Sequence, residues 1–196
     1  MHTGVPLILA SSSPRRLELL RQIGVIPAGV IAPDIDESPK RGELPRAHAL
    51  RLAIEKARAV SGSMTGATDS VILAADTVVS MGRRIMPKAE DPDTARRCIE
   101  RLSGRRHRVH GGVAVIDRDG RQRTRIVETV VRLRRLDGAE IERYVERGDW
   151  QGKAGGYALQ GHAAMFVASV NGSCSNVIGL PLCETAGLLR AAGVLP

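Results

Sequence analysis

The residues best suited to chemistry begin in the run Leu7-Ile8-Leu9-Ala10-Ser11-Ser12-Ser13-Pro14-Arg15-Arg16-Leu17-Glu18-Leu19-Leu20. An apolar strand ends in a hydroxyl-rich turn that opens directly into a helix. Ser13 suits the N-cap, Pro14 the first helical position, and Gly24 a left-handed helix end. Free N–H groups and the macrodipole already draw anions to a helix N-terminus. Here Ser11, Ser12, Ser13, Arg15 and Arg16 add hydroxyls and guanidinium forks. Together they point to a densely charged phosphate compound. The plainer alternative is a capped helix with solvated arginines.

Asp76 interrupts the apolar run Val71-Ile72-Leu73-Ala74-Ala75-Asp76-Thr77-Val78-Val79. A carboxylate inside a buried strand is costly unless it is paired or binds a cation. It could hold Mg2+, which takes one or two carboxylates plus substrate phosphates, or act as a general base on water. It could also be a satisfied core aspartate. Asp34, Asp36 and Glu37 cluster in a proline-bounded loop. Alone they read as solvated; beside a phosphate site they could supply a second metal ligand. Of 29 basic residues only Lys40, Lys56, Lys88 and Lys153 are lysines. A lysine kept in an arginine-rich chain hints at a need for a compact ammonium, so Lys56 and Lys88 are candidates, although either could lie on the surface. In the segment 153–161, glycines permit close backbone approach, and Gln160 could read a base edge with one donor and one acceptor group. Neither a Walker A loop nor a Rossmann glycine fingerprint is present. His107 and His110 are expected on one strand face, without an acidic or cysteine partner nearby. Ser173 and Ser175 lack the Gly-x-Ser-x-Gly elbow of a serine hydrolase.

These residues need a scaffold. Hydrophobic periodicity and turn signals predict strands at 5–10, 25–33, 71–79, 109–117, 121–136 and 164–170. Helices are expected at 14–23, 46–60, 92–102, 138–147 and 181–192, with a flexible connector at 62–70. Asp91 is a candidate cap, and Asp137-Gly138-Ala139-Glu140 a capping box. Strands and helices alternate, which predicts an α/β fold: a mixed twisted sheet flanked by helices, in a single domain over 1–196.

The 43% apolar content supports a core, and the 2% aromatic content makes it aliphatic. The net charge of +8 invites a nucleic-acid partner. Arginine-biased usage, four aromatic residues and no recognition motif argue against one, and a small anionic substrate accounts for the charge more simply. Three cysteines without a Cys-x-x-Cys pair suggest a reducing compartment. No apolar stretch approaches the roughly 18 residues of a membrane helix, and no signal peptide is evident, so no membrane partner and a cytoplasmic location are expected.

The segments LILASSSPRRLELL (7–20), DIDES (34–38), EKA (55–57), ILAADTVV (72–79), LSGRRHRV (102–109), KAGGYALQG (153–161) and NVIGLPL (176–182) occur in this order. The chain thereby resembles the Maf family of nucleoside triphosphate pyrophosphatases over essentially its whole length. The resemblance implies an elongated, two-lobed, Maf/ITPase-like domain with a central cleft. It implies cleavage of a nucleoside triphosphate between the α- and β-phosphates with a divalent cation, Mg2+ or Mn2+, in a house-cleaning role. Carried over by position, Asp76 would be the proton acceptor, and Asp76 and Glu37 the metal ligands. Lys56 and Lys88 would act on the phosphate side. Ser11, Ser13, Arg15 and Arg16 would grip the triphosphate, and Thr77 and Gln160 would govern substrate choice. Thr77 with Tyr-x-x-Gln-Gly looks like the dTTP/UTP branch rather than the 7-methyl-GTP branch. A homodimer is a common family arrangement. Departures are Gly111 where threonine is frequent, Ala89 where proline is frequent, and His162-Ala163-Ala164 after Gln160-Gly161. The rival expectation is a non-catalytic nucleotide- or nucleic-acid-binding regulator of cell division, which would gain nothing from Asp76.

Overall fold

The computed structural model describes residues 5–64 and 69–196. Strand β1 (Leu7–Ala10) is fully buried and lies between β2 (Gly29–Ile31) and β3 (Val71–Met81), parallel to both. The chain leaves β1 through α1 (Pro14–Gln22) to reach β2, then returns through α2 (Pro45–Ser63) to β3 on the other side of β1. The two helices cover opposite faces. Leu19 and Leu20 pack on Leu7, Leu9 and Leu73; Ala53, Ala57 and Val60 pack on Ile8, Ala10 and Ile72. Such a reversal opens a crevice outside the carboxyl end of the first strand. β1 stops at Ala10, paired with Ala74, while β3 runs on to Met81. Asp76 and Thr77 therefore emerge just past the end of β1.

The sheet continues through antiparallel β6 (Arg106–Ile116), β7 (Gln122–Leu133) and β9 (Val167–Asn171), and β4 (Arg84–Ile85) pairs with the far end of β3. Another core lies further along the face that α1 covers. There Val79, Val109 and Val131 pack against α3 (Pro92–Leu102) and α4 (Gly138–Arg147) through Ile99, Leu102 and Tyr144. Trp150, Tyr157 and Phe166 complete it, so all four aromatics of the chain, Tyr144 included, are gathered in one place. A small two-stranded sheet, β5 (Lys88–Ala89) with β8 (Lys153–Ala154), borders this core. Strand β3 thus gives Leu73 and Ala75 to one core and Val79 to the other, and its polar pair, Asp76 and Thr77, falls between them.

The mixed sheet with flanking helices is the architecture expected, and two of the three predicted N-caps form capping bonds: Asp91 accepts from the Thr94 N–H, and Asp137 and Glu140 make the capping box. Other local expectations are corrected. The strand predicted at 25–33 is only Gly29–Ile31, because Pro27 and Pro33 bracket it and cannot donate to a ladder. The stretch 164–170 is not one strand: a 3-10 turn, His162–Phe166, precedes β9. Ala163 and Phe166 are the buried residues of that turn, three apart, which suits a 3-10 repeat rather than the period of two of a strand. A short helix, α5 (Cys174–Ile178), escapes periodicity because it is a single turn or so; α6 (Leu182–Ala191) follows it. Helix α2 extends to Ser63, into the predicted connector, of which 65–68 lie outside the described residues. His107 and His110 are three apart on β6, hence on opposite faces: His107 bonds Tyr157, and His110 bonds Ser80.

Candidate active site

Asp76 faces α2, and Thr77, one residue on, faces the opposite side of the sheet. Asp76 is only 5% exposed. Its partner is Lys56 on α2, whose Nζ donates to Asp76 Oδ1 at 2.6 Å and is itself buried. The geometry that permits this begins at Gly112, opposite Asp76 in the ladder. A Cβ there would lie 2.2 Å from the Ala49 carbonyl oxygen of α2, so only glycine lets the helix lie this close to the sheet. Lys56 is therefore no surface lysine: its ammonium completes a buried ion pair.

The same ammonium lies 2.6 Å from Glu37 Oε1. Glu37 in turn pairs through Oε2 with Lys88 on β5. Burial alone would raise the Glu37 pKa, but the bonds from Lys56 and Lys88 bring it down to about 2. Asp34 and Asp36 stay exposed, Asp36 capping the Ser38 N–H, so the acidic cluster contributes one carboxylate only.

On the other side, Arg16 is 8% exposed and is fully engaged. Its Nε donates to the Gly179 carbonyl at 3.0 Å, Nη1 to Ser11 Oγ at 2.9 Å and Nη2 to Thr77 Oγ1 at 3.4 Å. Burial pushes its pKa down and Asp76 opposes the shift. Arg16 ties together the end of β1, the middle of β3 and the end of α5, while half-buried Arg15 also lines the cleft. Ser13 occupies the N-cap position, but its hydroxyl makes no capping bond; its N–H donates instead to Ser11 Oγ.

Ser11, Ser13, Arg15, Arg16, Glu37, Lys56, Asp76, Thr77, Lys88 and Gln160 all line one cleft of about 390 Å³. Every residue that the family resemblance implied for the site is thus brought together, while Asp34, Asp36, His107 and His110 lie outside the cleft lining. The cleft also holds residues not singled out. Lys153 on β8 lines it half-buried, its pKa lowered by burial and by the charge of Arg15. The scarcity of lysine that flags Lys56 and Lys88 flags Lys153 equally. Tyr157 forms part of the wall and bonds His107 Nε2 at 2.7 Å. Asn176 is fully buried and holds α5 on the sheet through bonds to the Val109 carbonyl and Thr129 Oγ1, both 3.1 Å. A Cβ at Gly111 would sit 1.8 Å from Asn176 Oδ1, which explains why glycine stands there.

Five cations, Arg15, Arg16, Lys56, Lys88 and Lys153, face two carboxylates in this cleft. The excess of positive charge suits a polyanion. Among the described residues no three or more His, Cys, Asp or Glu side chains are grouped so as to hold a metal ion by themselves. Asp76 and Glu37 nevertheless converge on a single cationic point, the Lys56 ammonium. Two hard oxygen donors fit Mg2+ or Mn2+ if substrate oxygens and water fill the remaining positions.

A family model described as Maf-like protein matches residues 6–192. A dTTP/UTP pyrophosphatase of Novosphingobium aromaticivorans is 58% identical over 188 residues, covering 96% of this chain and 92% of that protein. One of Caulobacter vibrioides is 54% identical over 196 residues, covering 100% of both. Among solved structures, a HAM1 protein from Coxiella burnetii superposes with a TM-score of 0.50 at 18% identity, covering 96% of this chain and 100% of that one.

Proposed function

This chain belongs to the Maf-like protein family, and from that premise we propose that it hydrolyses dTTP and UTP to the monophosphate and pyrophosphate. The observation that carries the proposal is the Asp76–Lys56–Glu37 cluster, its Asp76–Lys56 pair buried, in a cation-rich cleft. A site that only bound phosphate would be weakened by two carboxylates; a site that activates water needs them.

Arg15, Lys88 and Lys153 offer charge-assisted contacts to the phosphates, and Ser11 and Ser13 offer hydroxyls. Arg16 is the internal brace that fixes Thr77 and Gly179 relative to Ser11. With Lys56 on Oδ1, Asp76 has Oδ2 to take a proton from water. The water oxygen forms a bond to the α-phosphorus. The bond from that phosphorus to the α,β-bridging oxygen breaks, and pyrophosphate leaves with the electron pair. Lys56 and Lys88 stabilise the charge that grows on the leaving group. Asp76 and Glu37 are the residues that would hold a divalent cation, Mg2+ or Mn2+, whose chemistry would be to neutralise phosphate charge and acidify a bound water. Gln160 and Thr77 line the same cleft and are assigned to base discrimination.

The test is a nucleotide panel of dTTP, UTP, CTP, 7-methyl-GTP and the standard purines. Preferred turnover of dTTP and UTP is expected, with Gln160→Ala narrowing the preference more than it lowers phosphate affinity. Preferred turnover of 7-methyl-GTP would move the base assignment, and equal losses on every nucleotide in Gln160→Ala would remove the base-reading role. No helix of the described residues is long and apolar enough to cross a membrane.

A further inference from the structure

Glu37 sits where no helix or strand holds it: the chain from 32 to 44 contains neither. A segment of this length without regular structure is unusual in a compact fold, and its order has to come from side chains. Apart from the lysines that Glu37 itself meets, one side chain gathers the loop. Arg51, on α2, is 15% exposed and lies outside the cleft lining. Its Nη2 donates to the Ser38 carbonyl at 3.0 Å, the residue next to Glu37. Its Nε and Nη2 bind both oxygens of Glu43, at 2.7 and 2.9 Å, and Nη1 donates to Glu55 at 2.8 Å. Glu43 also accepts from the Lys40 N–H at 3.0 Å and meets His48 Nδ1 at 3.0 Å, so the middle of the loop and its C-terminal end are gathered on one guanidinium. The helix that carries this clamp also carries Lys56. One rigid element therefore presents the ammonium that Glu37 meets and the fork that holds the backbone beside Glu37.

We propose that Arg51 is a positioning residue: through Ser38 and Glu43 it sets the loop so that the Glu37 carboxylate reaches Lys56 and Lys88. The proposal rests on the functional assignment of Glu37 made above. A planar fork with several donors is required, because an ammonium at this position could not engage Ser38, Glu43 and Glu55 in fixed directions at once.

The experiment is a double-mutant cycle on the full chain with dTTP. Arg51→Ala is expected to lower kcat about tenfold with KM within about twofold, and to cost less than about twofold when added to Glu37→Ala, since coupled residues are non-additive. Arg51→Lys should fall between the two. Hydrogen exchange should rise across 34–44 in Arg51→Ala and stay unchanged in β3, a readout independent of turnover. If Arg51→Ala does not fold, Glu43→Gln opens the clamp from its other side and is judged by the same criteria. Equal fold-losses in both backgrounds, or wild-type kcat in Arg51→Ala while Glu37→Ala is impaired, would overturn the positioning role. Wild-type kcat in Glu37→Ala would instead remove the assignment of Glu37 and the proposal with it.

Discussion

Asp76 and Lys56 each account for the presence of the other. Both are at most 5% exposed, and neither charge could be left alone at that depth. Lys56→Met should destabilise the protein by about 3–5 kcal/mol, because it leaves Asp76 buried without its ammonium. Adding Asp76→Asn should recover part of that loss. Urea midpoints of the two variants provide the check; a Lys56→Met midpoint equal to that of the wild type would mean the pair contributes nothing. At this scale the sequence is highly legible. A carboxylate inside a β-branched run and a few lysines in an arginine-rich chain are anomalies visible without coordinates. What it hides is direction. Nothing in Arg15-Arg16 says that the second arginine turns inward to brace Gly179 while the first lines the cleft half-buried. Asn176 and Gly111 are equally silent, because their fit is a long-range steric match between α5 and β6.

Among the elements, legibility follows length and pattern. Helices α3 and α4 carry their own start signals and form where the caps place them. Helix α5 and the 3-10 turn are too short for a periodic pattern, and packing around Asn176 and Phe166 decides them. Helix α2 has the largest functional consequence, since it carries Arg51 and Lys56 and rests on Gly112. Gly112→Ala should force the helix outward, costing about 1–3 kcal/mol as overpacked cores do, and should depress turnover by withdrawing Lys56 from Asp76. Denaturant unfolding and dTTP turnover measured on one preparation would show this. Loss of stability with full turnover would mean that the site tolerates the shift.

Over the whole molecule, two of the three cores share one face of the sheet, and the cleft occupies the seam between them. Charge follows the same division: Arg15, Lys88 and Lys153 of the cleft are placed to meet a polyanion, whatever the overall +8 does elsewhere. Buried titrating groups tie stability to pH. Burial pushes the His107 pKa from 6.5 down to about 4, so the folded state binds that proton less well than the unfolded chain does. Stability present above pH 6.5 is therefore lost as the pH falls from 6.5 towards about 4. For Glu37, burial opposes the fall but Lys56 and Lys88 outweigh it; for Glu43, Arg51 leads. Both carboxyls drop from 4.5 to about 2, and their contribution, present above pH 4.5, is lost on descending towards about 2. Melting temperatures should decline in these two stages on acidification. Burial lowers the His110 pKa as well, so His107→Gln should shrink the upper stage and leave the lower one, and a melting temperature constant from pH 7 to 4 in the wild type would contradict this account.

The central claim is that Asp76 drives pyrophosphate release from a triphosphate held in the cleft. Its most direct test is pyrophosphate release from dTTP and UTP by the wild type and by Asp76→Asn, with Mg2+ or Mn2+ supplied and then chelated. The account predicts stoichiometric monophosphate and pyrophosphate from the wild type, with turnover lost on chelation. It predicts a folded Asp76→Asn protein slower by about 10²–10⁴-fold, the usual range for removing a general base. Near-normal turnover by a folded Asp76→Asn protein, or release of inorganic phosphate in place of pyrophosphate, would contradict it.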